Sequence, residues 1–253
     1  MIYLREALMT GERLPYDAEV EYLESTGTQY VDTGYRMNNN CRIELLVSAE
    51  TTTGISRNVF GCRTSFASKN FSSNSVPLYG YTVDFNNSNT TAYRVTVPVD
   101  TRFIAHIVAD KDERTIYNET TGATIATNAT PCPDVFTCDY SAYLFHTSGS
   151  PFQSHMMVGR MYFVKMWDNG VLVRDFIPVR FTNENGVTEG AMFDKVSGTL
   201  FRNAGTGAFV IGPDASAANG GGGYKRQCVR RSHTRSWRPS ARFYSPRLWK
   251  EVA

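Results

Sequence analysis

The chain of 253 residues is 42% hydrophobic and 20% charged, an ordinary globular composition that excludes wholesale disorder. Aromatic residues reach 13%, and together with abundant Thr and Asn they favour strands and turns over helices. The net charge of +2 is spread unevenly: residues 224–253 hold nine of the 26 basic and one of the 24 acidic residues, a local balance of +8 against −6 elsewhere. This segregation predicts two physical tasks on one chain.

The N-terminal residues 1–19 are predicted to form a short arm. Leu4 and Leu8 allow one or two helical turns before Gly11 and Pro15. The arm contains no basic stretch followed by an apolar one, and the chain has no apolar run of membrane-spanning length. We therefore expect folding in a cytoplasm and no membrane contact.

Between residues 20 and 213 the pattern alternates short strands and polar turns. Strands are predicted at 41–49, 94–99 and 102–110, and two more around a turn within 114–127. Short, regularly punctuated runs that are rich in β-branched residues indicate an antiparallel sandwich or barrel.

A hairpin is predicted at residues 161–179, MYFVKMWDNGVLVRDFIPV. Asp168-Asn169-Gly170 supplies the turn because Asn and Gly tolerate positive φ. Alternation places two sets of side chains on opposite faces: Phe163, Lys165 and Trp167 on one, and Tyr162, Val164 and Met166 on the other. Apolar residues on both faces indicate a strand that is buried on both sides or covered by a loop on one.

Three very short strands separated by two Gly-containing turns are predicted within 192–214, followed by a Gly-rich linker at 214–223. The last segment, 224–253, combines Arg with aromatic residues, a pairing typical of interface anchors. The predicted docking residues are Arg230, Arg231, Arg235, Trp237, Arg238, Arg242 and Trp249. Contact of this tail with nucleic acid is the second alternative, and a solvated basic tail is the third.

The five cysteines are odd in number and include no C-x-x-C motif, so no zinc site is expected. Cys132 and Cys138 are close enough in sequence to pair across a loop. Free thiols in a reducing compartment are the favoured interpretation.

Three segments carry a family resemblance: residues 21–35 (EYLESTGTQYVDTGY), 166–180 and 190–214. Together they resemble a LamG-like, concanavalin A-like jelly-roll module of phages and prophages of gut bacteria. The resemblance covers residues 20–214. It implies two antiparallel sheets packed face to face, with the N- and C-terminal strands side by side. It also implies a core filled in part by Tyr22, Leu23, Tyr30 and Val31.

Related jelly rolls include glycoside hydrolases, whose chemistry needs two facing carboxylates. The candidate pairs are Glu19 with Glu21 and Asp110 with Asp112, but the hydrolase pattern Glu-x-Asp-x-x-Glu is absent. His106 is interpreted as a sheet residue, and His146 has no evident acidic partner in the sequence. We therefore expect no catalytic residues and no enzymatic activity.

Sugar recognition is the common non-catalytic role that the resemblance implies, and it needs aromatic faces beside amide or carboxylate groups. Two segments, 78–89 and 139–152, offer both. The predicted ligand-binding residues are Tyr79, Tyr81, Asn86, Asn87, Tyr140 and Tyr143. The alternative interpretation of the tyrosines is that they are ordinary strand residues with one end in water. Asp84, Asn86 and Asn87 also offer oxygens for Ca²⁺, but no metal or cofactor is expected.

These patterns favour a non-enzymatic virion component, a head or tail fibre or decoration protein made in the cytoplasm of a bacterial host. The sandwich would adhere to a host-surface glycan, and the tail would dock on other virion proteins. A homo-oligomer is expected, for which a trimer is one cyclic arrangement. The alternatives are a purely structural capsid or tail protein without a ligand, and a glycan-cleaving enzyme.

Overall fold

The computed structural model describes residues 14–50, 55–76, 80–87, 89, 91–96, 103–149 and 155–215. These residues form strands and turns without a helix, so none of them builds a membrane-spanning helix. The strands are β1 (Ala18–Glu19), β2 (Leu23–Thr26), β3 (Val31–Asp32), β4 (Cys41–Ala49), β5 (Arg57–Arg63), β6 (Asn70–Val76), β7 (Gly80–Phe85), β8 (Arg94–Thr96), β9 (Ala105–Ala109), β10 (Arg114–Asn118), β11 (Ala123–Asn128), β12 (Tyr143–Leu144), β13 (Val158–Asp168), β14 (Val171–Thr182), β15 (Thr188–Asp194), β16 (Thr199–Phe201) and β17 (Val210–Ile211).

Two antiparallel sheets pack as a sandwich, which confirms the predicted all-β fold class. The larger sheet has the order β11-β10-β9-β4-β13-β14-β15-β16; β2 pairs with β13 and β17, and β1 pairs with β14. The smaller sheet has the order β3-β12-β5-β6-β7-β8. One continuous core lies between them, contributed by the inward residues of both sheets.

Strand β4 shows why the sequence forms this sandwich. Its residues alternate, and Cys41, Ile43, Leu45 and Val47 are fully buried while the residues between them are half-buried. Burial of each large aliphatic side chain contributes about 1.5–3 kcal/mol. A strand with this alternation has one face on the core and one towards solvent.

The β13–β14 hairpin has the predicted turn, with positive φ at Asn169 (49°) and Gly170 (79°). The predicted face of Tyr162 is wrong. A register shift lies between Met161 and Phe163 in the pairing with β4, so Tyr162 is the extra residue of a bulge. Its ring is half-buried and packs edge-on against Tyr22 at 5.7 Å, away from the core.

The segment 21–35 runs from the larger sheet, in β2, to the smaller sheet, in β3. Leu23 and Val31 are fully buried, as expected, but Tyr22 and Tyr30 are only half-buried, and that part of the expectation is wrong. Between the two strands, the side-chain oxygen of the buried Gln29 accepts a hydrogen bond from the Thr26 amide at 2.8 Å. A buried amide thus fixes the turn.

The chain ends of the sandwich lie side by side. Strand β17 pairs with β2, and Asp214 bridges to Val20. Strand β1 lies within the predicted arm yet pairs with β14, so regular structure begins before residue 20. Most of the predicted linker and the whole docking tail lie outside the described residues.

The described cysteines are all free. The Cys132 thiol donates to an Asp134 oxygen at 3.8 Å, whereas the Cys138 thiol donates to the Lys69 carbonyl at 3.3 Å. The structure therefore contains no Cys132–Cys138 disulfide.

Gly159 is the position in β13 where the backbones of neighbouring strands come closest. Its φ is +139°, and an added Cβ would lie 2.3 Å from the Ser48 carbonyl oxygen. We expect Gly159→Ala to lower the free energy of unfolding by about 2–4 kcal/mol, because both φ and the neighbouring strand must change. The measurement is urea denaturation. The control is Gly122→Ala, where φ is +69° but no atom lies within 4 Å. Gly122→Ala should lower the free energy of unfolding by about 1 kcal/mol, which measures the effect of positive φ without a steric clash. Equal losses in the two variants would contradict the prediction.

Candidate functional site

The structure separates the ligand-binding residues predicted on and after β7. Tyr81 is 1% exposed and faces the larger sheet, where its hydroxyl accepts the Ala49 amide at 2.7 Å. Asn86, at φ 60°, is buried and donates to an Asp134 carboxylate oxygen at 2.7 Å. Asn87 accepts from the Asn89 amide in the following turn. Tyr79 lies outside the described residues.

Of the two predicted tyrosines of the second segment, Tyr143 lies in β12 of the smaller sheet and Tyr140 in the bend before it. Tyr143 stacks on Tyr30 with ring centroids 4.7 Å apart, and both rings lie near His146, at 6.2 and 6.0 Å. Burial raises the pKa of Tyr143. Tyr140 is 52% exposed, and its ring covers Gly149, where an added Cβ would lie 2.8 Å from it. Tyr143 and Tyr140 thus flank strand β5 without touching each other.

Strands β5 to β8 carry mostly polar side chains on the face that points away from the larger sheet. The pairing register places Arg63 beside Asn70, Asp84 beside Ser72 and Arg94, and Asn74 beside Asn58 and Thr82. We call this surface the polar face; it consists of Asn58, Arg63, Asn70, Ser72, Asn74, Thr82, Asp84, Arg94 and Thr96. The alternate residues, such as Cys62, Phe71, Val83 and Phe85, fill the core.

The polar face is largely buried, which is unusual for the outer side of a sandwich. Apart from Arg94 and Thr96, which are half-buried, all its side chains are less than a tenth exposed. Sandwich sheets normally bury an apolar face and leave a polar one in water. Buried polar groups cost stability unless they are hydrogen-bonded, so these side chains need partners from the chain or from a ligand.

Asp84 is the central charge of the polar face. Its Oδ1 accepts from Arg94 Nε at 2.5 Å, and its Oδ2 accepts from Asn74 Nδ2 at 3.5 Å. Its exposure is 2%, and burial raises the pKa of this carboxyl group in spite of the opposing pull of Arg94 and Arg63. The three charged groups leave the face with a formal charge of +1.

Aromatic rings border the polar face at both ends of β5. At one end, Asn58 Nδ2 lies 3.4 Å from His146 Nδ1, next to the Tyr30–Tyr143 stack. At the other end, the Phe66 ring lies 4.4 Å from the Arg63 guanidinium carbon and is 40% exposed. Strand β5 spans about 20 Å between these ends. The combination of a polar floor and aromatic borders fits a polar, elongated ligand such as an oligosaccharide.

Asp110 and Asp112, one of the predicted carboxylate pairs, lie in the β9–β10 turn at the edge of an open cleft on the larger sheet. Asp110 Oδ1 accepts the backbone amides of Asp112 and Glu113, so it shapes the β9–β10 turn. Glu19 lies on β1, where its side chain accepts from Tyr16 at 3.4 Å. Asp110 and Glu19 thus each accept a local hydrogen bond that supports the fold.

His106 lies on the outward face of β9, between two carboxylates. Its Nε2 is 3.1 Å from Glu44 and its Nδ1 is 3.4 Å from Glu119. The hydrogen bond from His106 lowers the pKa of Glu44. Within the described ranges, no three His, Cys, Asp or Glu side chains are grouped as a metal ion would require.

Two open clefts lie on the outer face of the larger sheet, with volumes of about 380 and 500 Å³. The first is lined by Trp167 and Arg42. The guanidinium carbon of Arg42 lies 4.5 Å from the Trp167 ring centroid, and its Nη2 lies 3.5 Å from Glu44 Oε2. The second is lined by Tyr162 and Arg160, which is paired with a carboxylate. The arginine of each cleft is thus paired with a carboxylate, unlike Arg63 of the polar face.

No protein-family model and no curated protein matches this sequence. The geometry of the polar face and the resemblance described above are therefore the observations that bear on function.

Proposed function

We propose that the chain is a non-enzymatic carbohydrate-binding module and that its polar face holds the glycan. The observation that carries the proposal is the continuous row of amide, hydroxyl and charged groups over β5 to β8, bordered by aromatic rings. Sugar hydroxyls pair with such groups, while their apolar C–H faces stack on aromatic rings. The site includes Asn74 and Asp84, and it replaces the buried Tyr81 of the sequence prediction.

The resemblance to LamG-like modules of phages extends this proposal to a role of the chain in a phage particle. We propose that the sandwich has jelly-roll topology and belongs to a phage head or tail fibre or decoration protein. Each copy would bind a host-surface glycan weakly, but many linked copies would bind the surface strongly, because linked sites raise the effective concentration. Docking through Arg230–Trp249 on other virion proteins and assembly as a homo-oligomer remain predictions that concern residues outside the described ranges.

A glycan array on the purified full chain tests the function, followed by calorimetric titration of the strongest glycan with native protein and Asn74→Ala. We expect Asn74→Ala to bind about tenfold more weakly, since it loses an amide that reaches both Asp84 and the ligand, a difference of about 1.4 kcal/mol. Retained thermal stability would show that the loss is local.

Arg42→Gln is the matched control on the larger sheet, where it removes a polar side chain that lines the first cleft. We expect its glycan affinity to be unchanged. A loss confined to Arg42→Gln would assign the ligand to the larger sheet. An array without any bound glycan would favour the alternative of a purely structural virion protein.

A further inference from the structure

Arg63 is the charged group of the polar face that has no ion pair among the described residues, whereas Arg94 and Asp84 pair with each other. It is 5% exposed, and its Nε atom is fully buried without a hydrogen-bond partner. Its guanidinium contacts the Phe66 ring, with 4.4 Å from the guanidinium carbon to the ring centroid. Among the residues that the structure describes, no carboxylate and no carbonyl oxygen accepts a hydrogen bond from this guanidinium.

The nearest acidic group does not compensate for this charge. Asp84 is the only acid on the polar face, and its Oδ1 is already bound by Arg94 Nε at 2.5 Å. Burial lowers the pKa of Arg63, and the Arg94 charge acts in the same direction, whereas Asp84 opposes them. A buried cation that lacks its counter-ion destabilises the folded protein, so an anion supplied from outside would be bound at this point.

The register places Arg63 where such an anion could be part of a glycan. Arg63 pairs with Asn70, and Ser72 donates to Asn70 Oδ1 at 2.8 Å, so these side chains share the polar face. The exposed ring of Tyr140 and the Arg63 carbonyl oxygen both lie against Gly149, where neither leaves room for a Cβ. Tyr140 therefore borders the same end of β5 as Arg63.

We propose that the polar face is specific for acidic glycans and that Arg63 binds their anionic group. A guanidinium offers parallel N–H donors that match a carboxylate bidentately, and the Phe66 ring limits the directions in which it can turn. This inference depends on the proposed glycan-binding function for the source of the anion. A sulfate ester presents the same chemistry as a carboxylate, and the experiment separates the two.

Calorimetric titration with defined probes tests the proposal on the full chain. The probes are oligogalacturonate, its carboxyl-reduced neutral counterpart, dextran sulfate and dextran. We expect native protein to bind one anionic probe at least tenfold more tightly than its neutral counterpart. Tighter binding of oligogalacturonate would identify the bound group as a carboxylate, and tighter binding of dextran sulfate would identify it as a sulfate ester. Arg63→Gln abolishes this preference. Arg63→Lys retains part of it, because Lys keeps the positive charge but lacks the two parallel N–H donors of the guanidinium.

Arg42→Gln is the control, since it removes an arginine of similar aromatic contact that is already paired with Glu44. It should keep the preference for the anionic probe. The melting temperature of unliganded Arg63→Gln should equal or exceed that of native protein, because an uncompensated charge has been removed.

Each outcome separates this inference from the proposed function. Equal binding of charged and neutral probes by native protein would overturn the role of Arg63 and leave the glycan site in place. A preference that persists in Arg63→Gln would also overturn it. Stabilisation by free galacturonate or sulfate that requires Arg63, without binding of any oligosaccharide, would support the anion site and contradict the glycan function. A fall in melting temperature of Arg63→Gln would show that the guanidinium is structural and would count against the inference.

Discussion

Arg114→Met is expected to lower the free energy of unfolding by about 3–5 kcal/mol, which is a large part of the stability of an ordinary domain. Arg114 is fully buried at the start of β10. Its guanidinium donates to the Lys111 carbonyl at 2.9 Å, to the Thr130 carbonyl at 2.6 Å and to Asn128 Oδ1 at 3.1 Å. Met fills a similar volume but cannot donate, so these three acceptors and the Asp110 carbonyl, at 3.3 Å, lose their partner.

The loss should extend to the ligand site. Asn128, held by Arg114, donates through Nδ2 to the Arg94 carbonyl at 2.8 Å, and this links the end of β11 to the edge strand β8 of the polar face. Urea denaturation measures the stability, and Arg42→Met on the exposed face is the control, with an expected change of about 1 kcal/mol or less. If Arg114→Met lost no more than this control, the hydrogen bonds of Arg114 would not stabilise the fold.

Parts of the larger sheet could be predicted well because strands such as β4 alternate apolar and polar residues. The predicted strand at residues 41–49 coincides with β4, and the Asn169-Gly170 turn was read from residues that tolerate positive φ. The bulge at Tyr162 could not be predicted, since it depends on how β13 meets β4. A single extra residue moves a side chain to the other face.

The smaller sheet was largely missed, and the reason is chemical. In β6, NFSSNSV, Ser and Asn occupy both faces of the strand, so the alternation of apolar and polar residues is weak. Ser73 points to the core side, beside Phe60 and Val83, while Ser72 and Asn74 belong to the polar face. Propensity alone would assign such a segment to a loop.

The predicted ligand-binding residue Tyr81 lies on the core face of β7. Sequence reasoning selected Tyr81 in β7 because aromatic residues stack on sugars, whereas its neighbours Thr82 and Asp84 face outward. The period of a strand is two, so a choice between adjacent residues needs the identity of the buried face. The signal was present in GYTVDF, where Val83 and Phe85 mark that face by being apolar.

The free energy of unfolding of Asp84→Asn should increase, compared with that of native protein, as the pH rises from about 4 to neutrality. The lower limit is the ordinary pKa of Asp. Burial raises the pKa of Asp84 in the folded state, and this effect exceeds the attraction of Arg94 and Arg63. The folded protein therefore holds a proton that the unfolded chain has already released, and native stability falls as the pH rises through this window. The amide side chain of the variant does not titrate, so that part of the pH dependence would be absent.

Urea denaturation of both proteins at several pH values between 4 and 7 measures this difference. Asn is nearly isosteric with Asp and still offers one oxygen to Arg94, which is half-buried and keeps access to water. A variant that became steadily less stable than native over the same range would show that the Asp84–Arg94 ion pair outweighs the cost of burial. In the expected case, the protein keeps a carboxylate that destabilises its own fold at neutral pH. Such a residue supports the proposed glycan site, in which Asp84 would orient Arg94 and Asn74 through its two hydrogen bonds.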